Sequence, residues 1–334
     1  MSRRITSFTT ILLVAGIIAV FAASSSICGE KDGSFRFVFM TDIHVMPELR
    51  GAEGLAAAIK KVNELEPDFV ITGGDLIYDA LGVDYARADS LYMLFGELCG
   101  RFEMPVYHTI GNHEVFGLYQ GSGIDPGHPE FGRKMFAKRL GGGSTNNSFD
   151  FGGWHFIMLA TIGFTGTRRY YGPVGPETLE WLARDLEKTD PEAPIVLCLH
   201  IPLVSPSIQT EYASTEGVPP AEMVTNTPEV LAAFEGRDLR LVLQGHLHIV
   251  EQAQVKGTNF VTGGAVSGAW WKGPFRGFAE GFMVVDVKNG AIDYVAKNHA
   301  TRLGESLRQA LAIHHSQFGR ISTRLKDAQR LETI

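Results

Sequence analysis

Short apolar runs of strand length alternate along the chain with longer segments in which apolar residues recur every three or four positions. The strand-like runs are Phe35–Asp42, Asp68–Asp75, Pro105–Glu114, Pro194–Pro202 and Leu239–His248. The segments with helical spacing are Ala52–Leu65, Tyr85–Cys99, Pro176–Lys188 and Pro228–Phe234. This alternation predicts an α/β fold in which helices cover β-sheets.

Two other regions have the pattern of antiparallel hairpins. Ser148–Thr161 contains two strand-like runs around a Gly-Gly turn, and Gly281–Asn298 is divided by an Asn-Gly dipeptide, which favours a two-residue hairpin turn. Three long segments rich in glycine, proline or polar residues interrupt the pattern: Val115–Thr145, Ser205–Thr227 and Gly263–Glu280. Since long irregular loops in a compact domain are often functional, we expect these segments to lie over the site.

The composition is that of a globular protein. Of the 334 residues, 45% are hydrophobic and 20% are charged, and the formal net charge is −7. A negative balance argues against a protein that coats nucleic acid. We find no internal repeat and no sign of a second large domain, so residues 34–300 are predicted to form one domain. Residues 301–334 are predicted to form a polar helical tail.

The N-terminus has the pattern of an export signal, predicted for residues 1–27. Two arginines precede the apolar run Ile11–Ala23, which is followed by small residues. This run is shorter than the ~20 residues that cross a membrane. We therefore expect export to a periplasm or to the exterior, with an uncleaved N-terminal anchor or a lipid on Cys28 as alternatives. The only other cysteines are Cys99 and Cys198, too few for a disulfide-stabilised fold.

Several strand-like runs end in residues that bind metals. These residues are Asp42, His44, Asp75, Asn112, His113, His200, His246 and His248. In α/β sheets, ligand sites lie at the carboxyl ends of the strands. The set offers carboxylate, imidazole and amide donors but no thiolate, which favours Fe, Mn or Zn. It is too large for one tetrahedral ion and suits two ions that share a carboxylate, for which Asp75 is the natural candidate.

The pair His246 and His248 raises a separate question. In an extended chain, residues two apart point to the same side, so both imidazoles would face one point.

The order and spacing of these motifs resemble the calcineurin-like metallophosphoesterases: D-x-H, G-D, G-N-H-E, a single H and G-H-x-H, from Asp42 to His248. The resemblance implies a four-layer αββα sandwich, in which two mixed β-sheets pack face to face with helices outside. It implies one metal ion bound by Asp42, His44, Asp75 and His248. It implies a second ion bound by Asp75, Asn112, His200 and His246, with His113 facing the scissile phosphate as a catalytic residue that is not a ligand.

The resemblance also implies a metal-dependent phosphoester hydrolase. Two ions ~3.5–4 Å apart would share a hydroxide that attacks phosphorus directly, and His113 would assist the leaving group as a general acid or electrostatic stabiliser. We favour a phosphodiesterase acting on a phosphorylated small-molecule or nucleotide-type substrate. The alternative is a phosphomonoesterase of the acid-phosphatase or phosphoprotein phosphatase type. A metallo-β-lactamase-like hydrolase is excluded, because the chain has no H-x-H-x-D-H motif.

Residues near the motifs leave alternatives open. Trp270 and Trp271, with Phe275, lie on a glycine-rich segment, where they would either stack on a flat substrate group or pack the loop onto the sheet. Asp79 and Glu114 would either orient a ligand imidazole or remain solvated. Arg168, with its neighbour Arg169, would lie at an exposed hairpin tip or clamp a phosphate.

Overall fold

The computed structural model describes residues 33–212 and 217–299. The predicted signal peptide, Cys28 and the predicted tail lie outside the described residues. The strands are β1 (Phe35–Met40), β2 (Phe69–Thr72), β3 (Val106–His108), β4 (Asn147–Phe151), β5 (Trp154–Leu159), β6 (Gly163–Phe164), β7 (Tyr170–Tyr171), β8 (Pro194–Leu199), β9 (Asp238–Gln244), β10 (Glu251–Val255), β11 (Thr258–Thr262), β12 (Gly281–Lys288) and β13 (Ala291–Asn298). The α-helices are α1 (Gly51–Asn63), α2 (Tyr85–Cys99), α3 (Lys134–Arg139), α4 (Pro176–Leu186), α5 (Pro206–Glu211) and α6 (Thr227–Ala232).

Two mixed sheets contain most of the strands. The first has the order β13-β12-β1-β2-β3, in which β1, β2 and β3 are parallel and β12 and β13 are antiparallel to their neighbours. The second has the order β10-β11-β9-β8-β5-β4, with four parallel strands at its centre and an antiparallel strand at each edge. The strands β6 and β7 form a separate short hairpin.

The residues of β1 alternate between two environments. Phe35, Phe37 and Phe39 pack between the two sheets, whereas Val38 and Met40 pack on the opposite side with residues of α1 and α2. Successive residues of a strand point to opposite faces, and a near-continuous apolar run is therefore the pattern of a strand buried on both faces. Each buried phenylalanine ring contributes about 1.5–3 kcal/mol through the loss of apolar surface from water. The core between the sheets is therefore built largely from aromatic rings.

Helices cover the outer faces of both sheets. Leu55, Ile59 and Val62 place the buried side of α1 on the first sheet, while Leu182 and Leu186 of α4 face the second. The predicted four-layer sandwich of two face-to-face sheets with helices outside is confirmed. Within the described part of the chain, no helix is long and apolar enough to cross a membrane.

The sequence pattern predicted the ends of α2 correctly, but it placed the ends of the strands too far along the chain. The helix spans the predicted residues, and the side chain of Asp84 caps it by accepting a hydrogen bond from the Arg87 backbone. The first strand ends at Met40 rather than Asp42, and β9 ends at Gln244 rather than His248. The metal-binding residue types therefore lie in the turns that follow parallel strands, where the chain is free to leave the sheet geometry.

Candidate metal centre

The turns after β1, β2, β3, β8 and β9 bring the predicted residues together at one end of the two sheets. Three groups have donor atoms within 4.8 Å of one another: Asp42, His44 and His248; Asp75, His200 and His246; and His44, Asp75 and His113. The groups overlap at Asp75 and His44, so they form one continuous cluster. Asn112 joins it through its side-chain oxygen, which lies 3.1 Å from the Nε2 atom of His200.

Asp75 lies between the two halves of this cluster. Its Oδ2 atom is 3.6 Å from the Nε2 atom of His44 and 3.1 Å from that of His200. In the first half, the Nε2 atom of His248 is 3.0 Å from the Nε2 atom of His44 and 3.4 Å from an oxygen of Asp42. A single carboxylate oxygen is thus shared between two sets of donors.

Hydrogen bonds orient two of the imidazoles. The Nδ1 atom of His200 donates to the carbonyl of Gly73 at 2.8 Å, and that of His248 donates to the carbonyl of Gly268 at 2.6 Å. Because Nδ1 carries the proton, a neutral ring presents the lone pair of Nε2 to the cluster, as in metal-binding histidines. The buried Nδ1 atom of His44 has no hydrogen-bond partner among the described residues.

The donor set fits metal ions. The cluster consists mainly of lone pairs and carboxylates that face one another at 3.0–3.8 Å, an arrangement that a cation at their centre stabilises. Burial lowers the pKa of His44 well below its usual value and that of His246 to about 3, so these rings are neutral. Burial also acts to lower the pKa of His200, but the adjacent Asp75 outweighs it and raises that pKa to about 9.

Left-handed backbone conformations are concentrated in the cluster. The φ angles are 53° at Asp42, 46° at His44, 53° at Asp75, 73° at His246 and 57° at His248. For residues with a Cβ atom, this region is unfavourable by roughly 1–2 kcal/mol each. Such outliers are typical of functional sites.

The same conformations correct the argument from an extended chain. The two histidines of the G-H-x-H motif lie beyond the end of β9, and both are left-handed. They do not face one point: His246 belongs to the group of Asp75 and His200, and His248 to the group of Asp42 and His44.

Glu114 holds the turn that carries Asp75. It is buried, and its carboxylate accepts hydrogen bonds from the backbone amides of Asp75 at 2.9 Å, Leu76 at 2.8 Å, Ile77 at 3.1 Å and Gly111 at 2.7 Å. Burial raises its pKa to about 7. Both sequence-based alternatives for this residue were wrong, because Glu114 is neither solvated nor bonded to an imidazole. It binds the backbone of two turns.

His113 lies at the edge of the cluster, half-buried. Its backbone amide donates to Oδ1 of Asp75 at 2.9 Å, and its Nε2 atom is 3.8 Å from Oδ2 of the same residue. Its Nδ1 atom is 3.6 Å from the carboxylate of Asp79, which is itself fixed by the amides of Leu81 and Gly82. The Nδ1 atom of His113 has no hydrogen-bond partner among the described residues, and the resemblance treats this imidazole as a non-ligand. The predicted role of Asp79 in orienting a ligand imidazole therefore stays a prediction.

A cavity of about 280 Å³ opens onto the cluster. Asp75, Asn112, His113, His246 and His248 line its floor, and Tyr170, Glu211, Glu222, Trp270, Phe275 and Arg276 contribute to its walls. The ring of Trp270 is centred 4.5 Å from that of His248 and meets the ring of Phe275 at 86°. Of the wall residues, Trp270 and Phe275 belong to the aromatic segment for which the sequence raised stacking on a substrate group. The others belong to segments that the sequence indicated only as loops over the site or as a hairpin tip.

The charges on the walls differ in their pairing. Arg276 forms two hydrogen bonds with the Glu211 carboxylate, at 2.8 and 3.2 Å. The Glu222 carboxylate accepts no hydrogen bond from the described residues and lies 3.9 Å from the Nε2 atom of the neutral His246 ring. Burial raises the pKa of Glu222. Within the described ranges, the cavity therefore has a carboxylate without a hydrogen-bonded cation and an arginine that Glu211 neutralises.

Trp271 is separated from the cavity. Its indole is buried in the core beside α1, and its Nε1 atom donates to the backbone carbonyl of His44 at 3.0 Å. The prediction that Trp271 contacts substrate was wrong, because successive left-handed residues direct Trp270 to the cavity and Trp271 to the interior.

Arg168 has a structural role. Its guanidinium donates to the backbone carbonyls of Leu118 and Ile124, at 2.7 and 3.0 Å, and so ties the β6–β7 hairpin to a neighbouring loop. Because its N–H groups are directed at these carbonyls, the structure argues against both predicted roles of Arg168, a phosphate clamp and a residue at an exposed hairpin tip. Arg169 lies over the ring of Tyr119, at 5.3 Å from its centre.

Known proteins share these features. A family model described as calcineurin-like phosphoesterase matches residues 35–250. Over 215 residues the chain is 24% identical to a probable cyclic nucleotide phosphodiesterase from Pseudoalteromonas sp. (strain SM9913), a match that covers 62% of this chain and 72% of that protein.

The fold has a similar solved structure. A dimetal phosphatase from Danio rerio matches with a TM-score of 0.57 at 14% sequence identity, covering 80% of this chain and 96% of that chain. At this identity the match supports the fold alone. The family model, by contrast, covers well over half of the chain and includes every residue of the cluster. The chain therefore belongs to the calcineurin-like phosphoesterases, a family of binuclear metal enzymes, and is a phosphoester hydrolase.

Proposed function

We propose that this protein is a phosphodiesterase that acts on small-molecule, nucleotide-type substrates at a centre of two transition-metal ions. The observation that carries this proposal is the carboxylate of Glu222 in the cavity wall, which accepts no hydrogen bond from the described part of the chain. The arginine in the same wall, Arg276, is neutralised by Glu211. The walls therefore provide no free arginine or lysine, among the described residues, for the additional charge of a phosphomonoester.

The size of the expected preference for a diester follows from the charge difference between the two ester classes. At pH 7 a monoester carries about −1.5 to −2 charges, whereas a diester carries one. An additional unit of negative charge ~6 Å from Glu222 is unfavourable by about 3 kcal/mol at an effective dielectric constant of ~20. A diester avoids most of this repulsion. The similarity to a probable cyclic nucleotide phosphodiesterase supports the same choice.

We assign the ligands from the two halves of the cluster. The first ion is bound by Asp42, His44, Asp75 and His248, and the second by Asp75, Asn112, His200 and His246. Nitrogen and oxygen donors without a thiolate suit Fe, Mn or Zn. When bound, such a pair of ions supplies an activated water and neutralises phosphate oxygens.

The residues around the ions position the substrate and assist the leaving group. His113 extends from the floor into the cavity, where its imidazole is placed to donate a proton or a hydrogen bond to the departing oxygen. The Asp79 carboxylate lies 3.6 Å from its Nδ1 atom. The face of Trp270 offers a surface for a flat group such as a nucleobase.

A paired assay tests the proposed function. The purified protein is loaded with Mn²⁺, its metal content is measured, and kcat/KM is compared for bis-p-nitrophenyl phosphate and p-nitrophenyl phosphate. We expect the diester to be preferred. A preference for the monoester would indicate a phosphomonoesterase. His113→Ala should retain both metals and lose most turnover, and a loss of metals in this variant would contradict its role.

The N-terminal pattern supports export of the protein. We propose cleavage after residue 27, which follows the small residues beyond the apolar run Ile11–Ala23. Fractionation of cells that produce the full chain, followed by mass spectrometry of its N-terminal peptide, tests this. A peptide that begins at Met1 in the exported fraction would indicate an anchor instead.

A further inference from the structure

The loop Ala265–Trp271 contacts all three members of the first donor group. The hydroxyl of Ser267 donates to the carbonyl of Asp42 at 2.8 Å, and the indole of Trp271 donates to the carbonyl of His44 at 3.0 Å. The carbonyl of Gly268 accepts the Nδ1 proton of His248 at 2.6 Å. These contacts join residues that are 20 to 227 positions apart in the chain. The loop itself lies beyond residues 35–250, which the family model matches.

The indole of Trp271 has little freedom to move. It is packed on α1, where a Cβ atom added to Gly54 would overlap the ring and one added to Gly51 would be 3.0 Å from its Cδ1 atom. Two small residues in the helix therefore make room for a large one in the loop. Since the ring is fixed on this side, its N–H is directed at His44.

The carbonyls that the loop binds belong to strained residues. Asp42 and His44 have φ angles of 53° and 46°, and Trp270 and Trp271 within the loop have 51° and 66°. Hydrogen bonds to the carbonyls of Asp42 and His44 help to stabilise conformations that would otherwise relax. The loop thereby fixes the direction in which both side chains leave the backbone.

The second donor group is held by other contacts. His200 is oriented by the carbonyl of Gly73, and the turn of Asp75 is held by Glu114. In the described structure, the loop makes no hydrogen bond with His200 or His246. These supports are separate for the two halves of the centre. The halves meet at Asp75 and where the backbone amide of His246 donates to the Asp42 carboxylate, at 3.0 and 3.1 Å.

We propose that the loop Ala265–Trp271 sets the affinity of the first metal position separately from the second, with Trp271 and Ser267 as positioning residues. The proposal rests on the ligand assignment made above. Contacts that orient metal ligands from outside typically contribute 10–100-fold in affinity. Disturbing the loop should weaken one ion by such a factor and leave the other nearly unchanged.

The test is a metal titration of the full chain. Metal-free protein is titrated with Mn²⁺ by calorimetry and equilibrium dialysis, in the wild type and in Trp271→Phe, which keeps an aromatic ring but lacks the N–H. We expect two ions in the wild type, and in the variant one ion of unchanged affinity and one weakened by about 10–100-fold. Trp181→Phe, the same change on α4, is the matched control and should bind as the wild type does.

A double variant identifies which of the two metal positions is affected. In His200→Ala, which removes a ligand of the second ion only, Trp271→Phe should still weaken the remaining ion. Equal weakening of both ions in the otherwise wild-type chain, or of neither, would overturn the proposal. A wild type that binds fewer than two ions would overturn the proposed function instead. If Trp271→Phe does not fold, Ser267→Ala gives the same test with a smaller change.

Discussion

Glu222 illustrates how one side chain can select among substrates without touching the reacting atoms. Its carboxylate is half-buried in the cavity wall and accepts no hydrogen bond from the described residues. A charge in this position acts on every anion that enters, and it acts more strongly on a dianion. Removing this charge should therefore raise the rate for the dianionic monoester more than the rate for the monoanionic diester.

We expect Glu222→Gln to raise kcat/KM for p-nitrophenyl phosphate by about 3–30-fold relative to bis-p-nitrophenyl phosphate, because less of the repulsion described above remains. The ratio of the two constants, measured at low ionic strength, is the readout. Glu235→Gln removes the same charge from an exposed residue far from the cavity and should leave the ratio unchanged. An unchanged ratio in Glu222→Gln would refute the electrostatic argument for a diester.

His155 shows a different use of charge, away from the metal centre. Its Nδ1 atom lies 2.6 Å from Asp150 and its Nε2 atom 2.9 Å from Asp185, which also accepts a hydrogen bond from Ser148. Burial acts to lower the pKa of His155, but the hydrogen bonds with Asp185 and Asp150 outweigh it and raise that pKa above its usual value. The imidazolium therefore connects β4, β5 and α4.

The pH dependence of stability follows from the raised pKa of His155. Its contribution is fully present below the pKa of the unfolded chain, near 6.5, and is lost as the pH rises through the higher folded value. We expect His155→Gln to lower the free energy of unfolding by about 1–3 kcal/mol at pH 6 and by less at pH 9. Urea unfolding of both proteins at the two pH values measures this. A difference that grows with pH would contradict the assignment.

At the scale of elements, the turns after the strands are packed too closely for ordinary side chains. The turn after β3 contains Gly111, where an added Cβ would overlap the backbone nitrogen and Oδ1 of Asp75. Gly74, in the turn after β2, has a φ angle of 91°, which favours glycine. These two turns can approach each other only because neither position carries a side chain.

Gly111→Ala should therefore damage both folding and metal binding. We expect a loss of about 1–3 kcal/mol in the free energy of unfolding from overpacking, together with weaker binding of Mn²⁺ because Asp75 is displaced. Denaturant unfolding and metal titration are the measurements. Gly96→Ala in α2, where an added Cβ meets nothing within 4 Å, is the matched control and should stabilise the protein by about 0.5–1 kcal/mol. Similar behaviour of the two variants would show that the close approach is not required.

At the scale of the whole molecule, metal binding should be linked to folding, because the cluster joins turns from both sheets. A ligand that binds only the folded state stabilises it by about 2.7 kcal/mol at a free concentration 100 times its Kd. For a domain of this size, that corresponds to a rise in Tm of roughly 3–6 °C per ion. Calorimetry with added Mn²⁺, after treatment with a chelator, tests this, with NaCl of equal ionic strength as the control. A Tm that does not respond to Mn²⁺ would argue against structural coupling.

The sequence by itself determined the class of the fold and the residue types of the site. The continuous apolar run Phe37–Met40 specifies a strand buried on both faces, and the helical spacing and cap of α2 specify its ends. These are local properties, set by the period of the backbone and by the transfer of apolar groups from water. Polar residues after parallel strands were predicted to meet because such strands end at one edge of a sheet.

Only the tertiary structure decided how those residues are divided and supported. His246 and His248 separate because both backbones are left-handed, and Trp270 and Trp271 separate in the same way. The role of Glu114 depends on partners in distant turns, and that of Glu222 depends on the cavity it faces; no local pattern encodes either. A left-handed residue is unfavourable in isolation and persists only where contacts from elsewhere in the chain hold it. For that reason the sequence predicted which residues gather at the centre, whereas long-range packing decided where each one points.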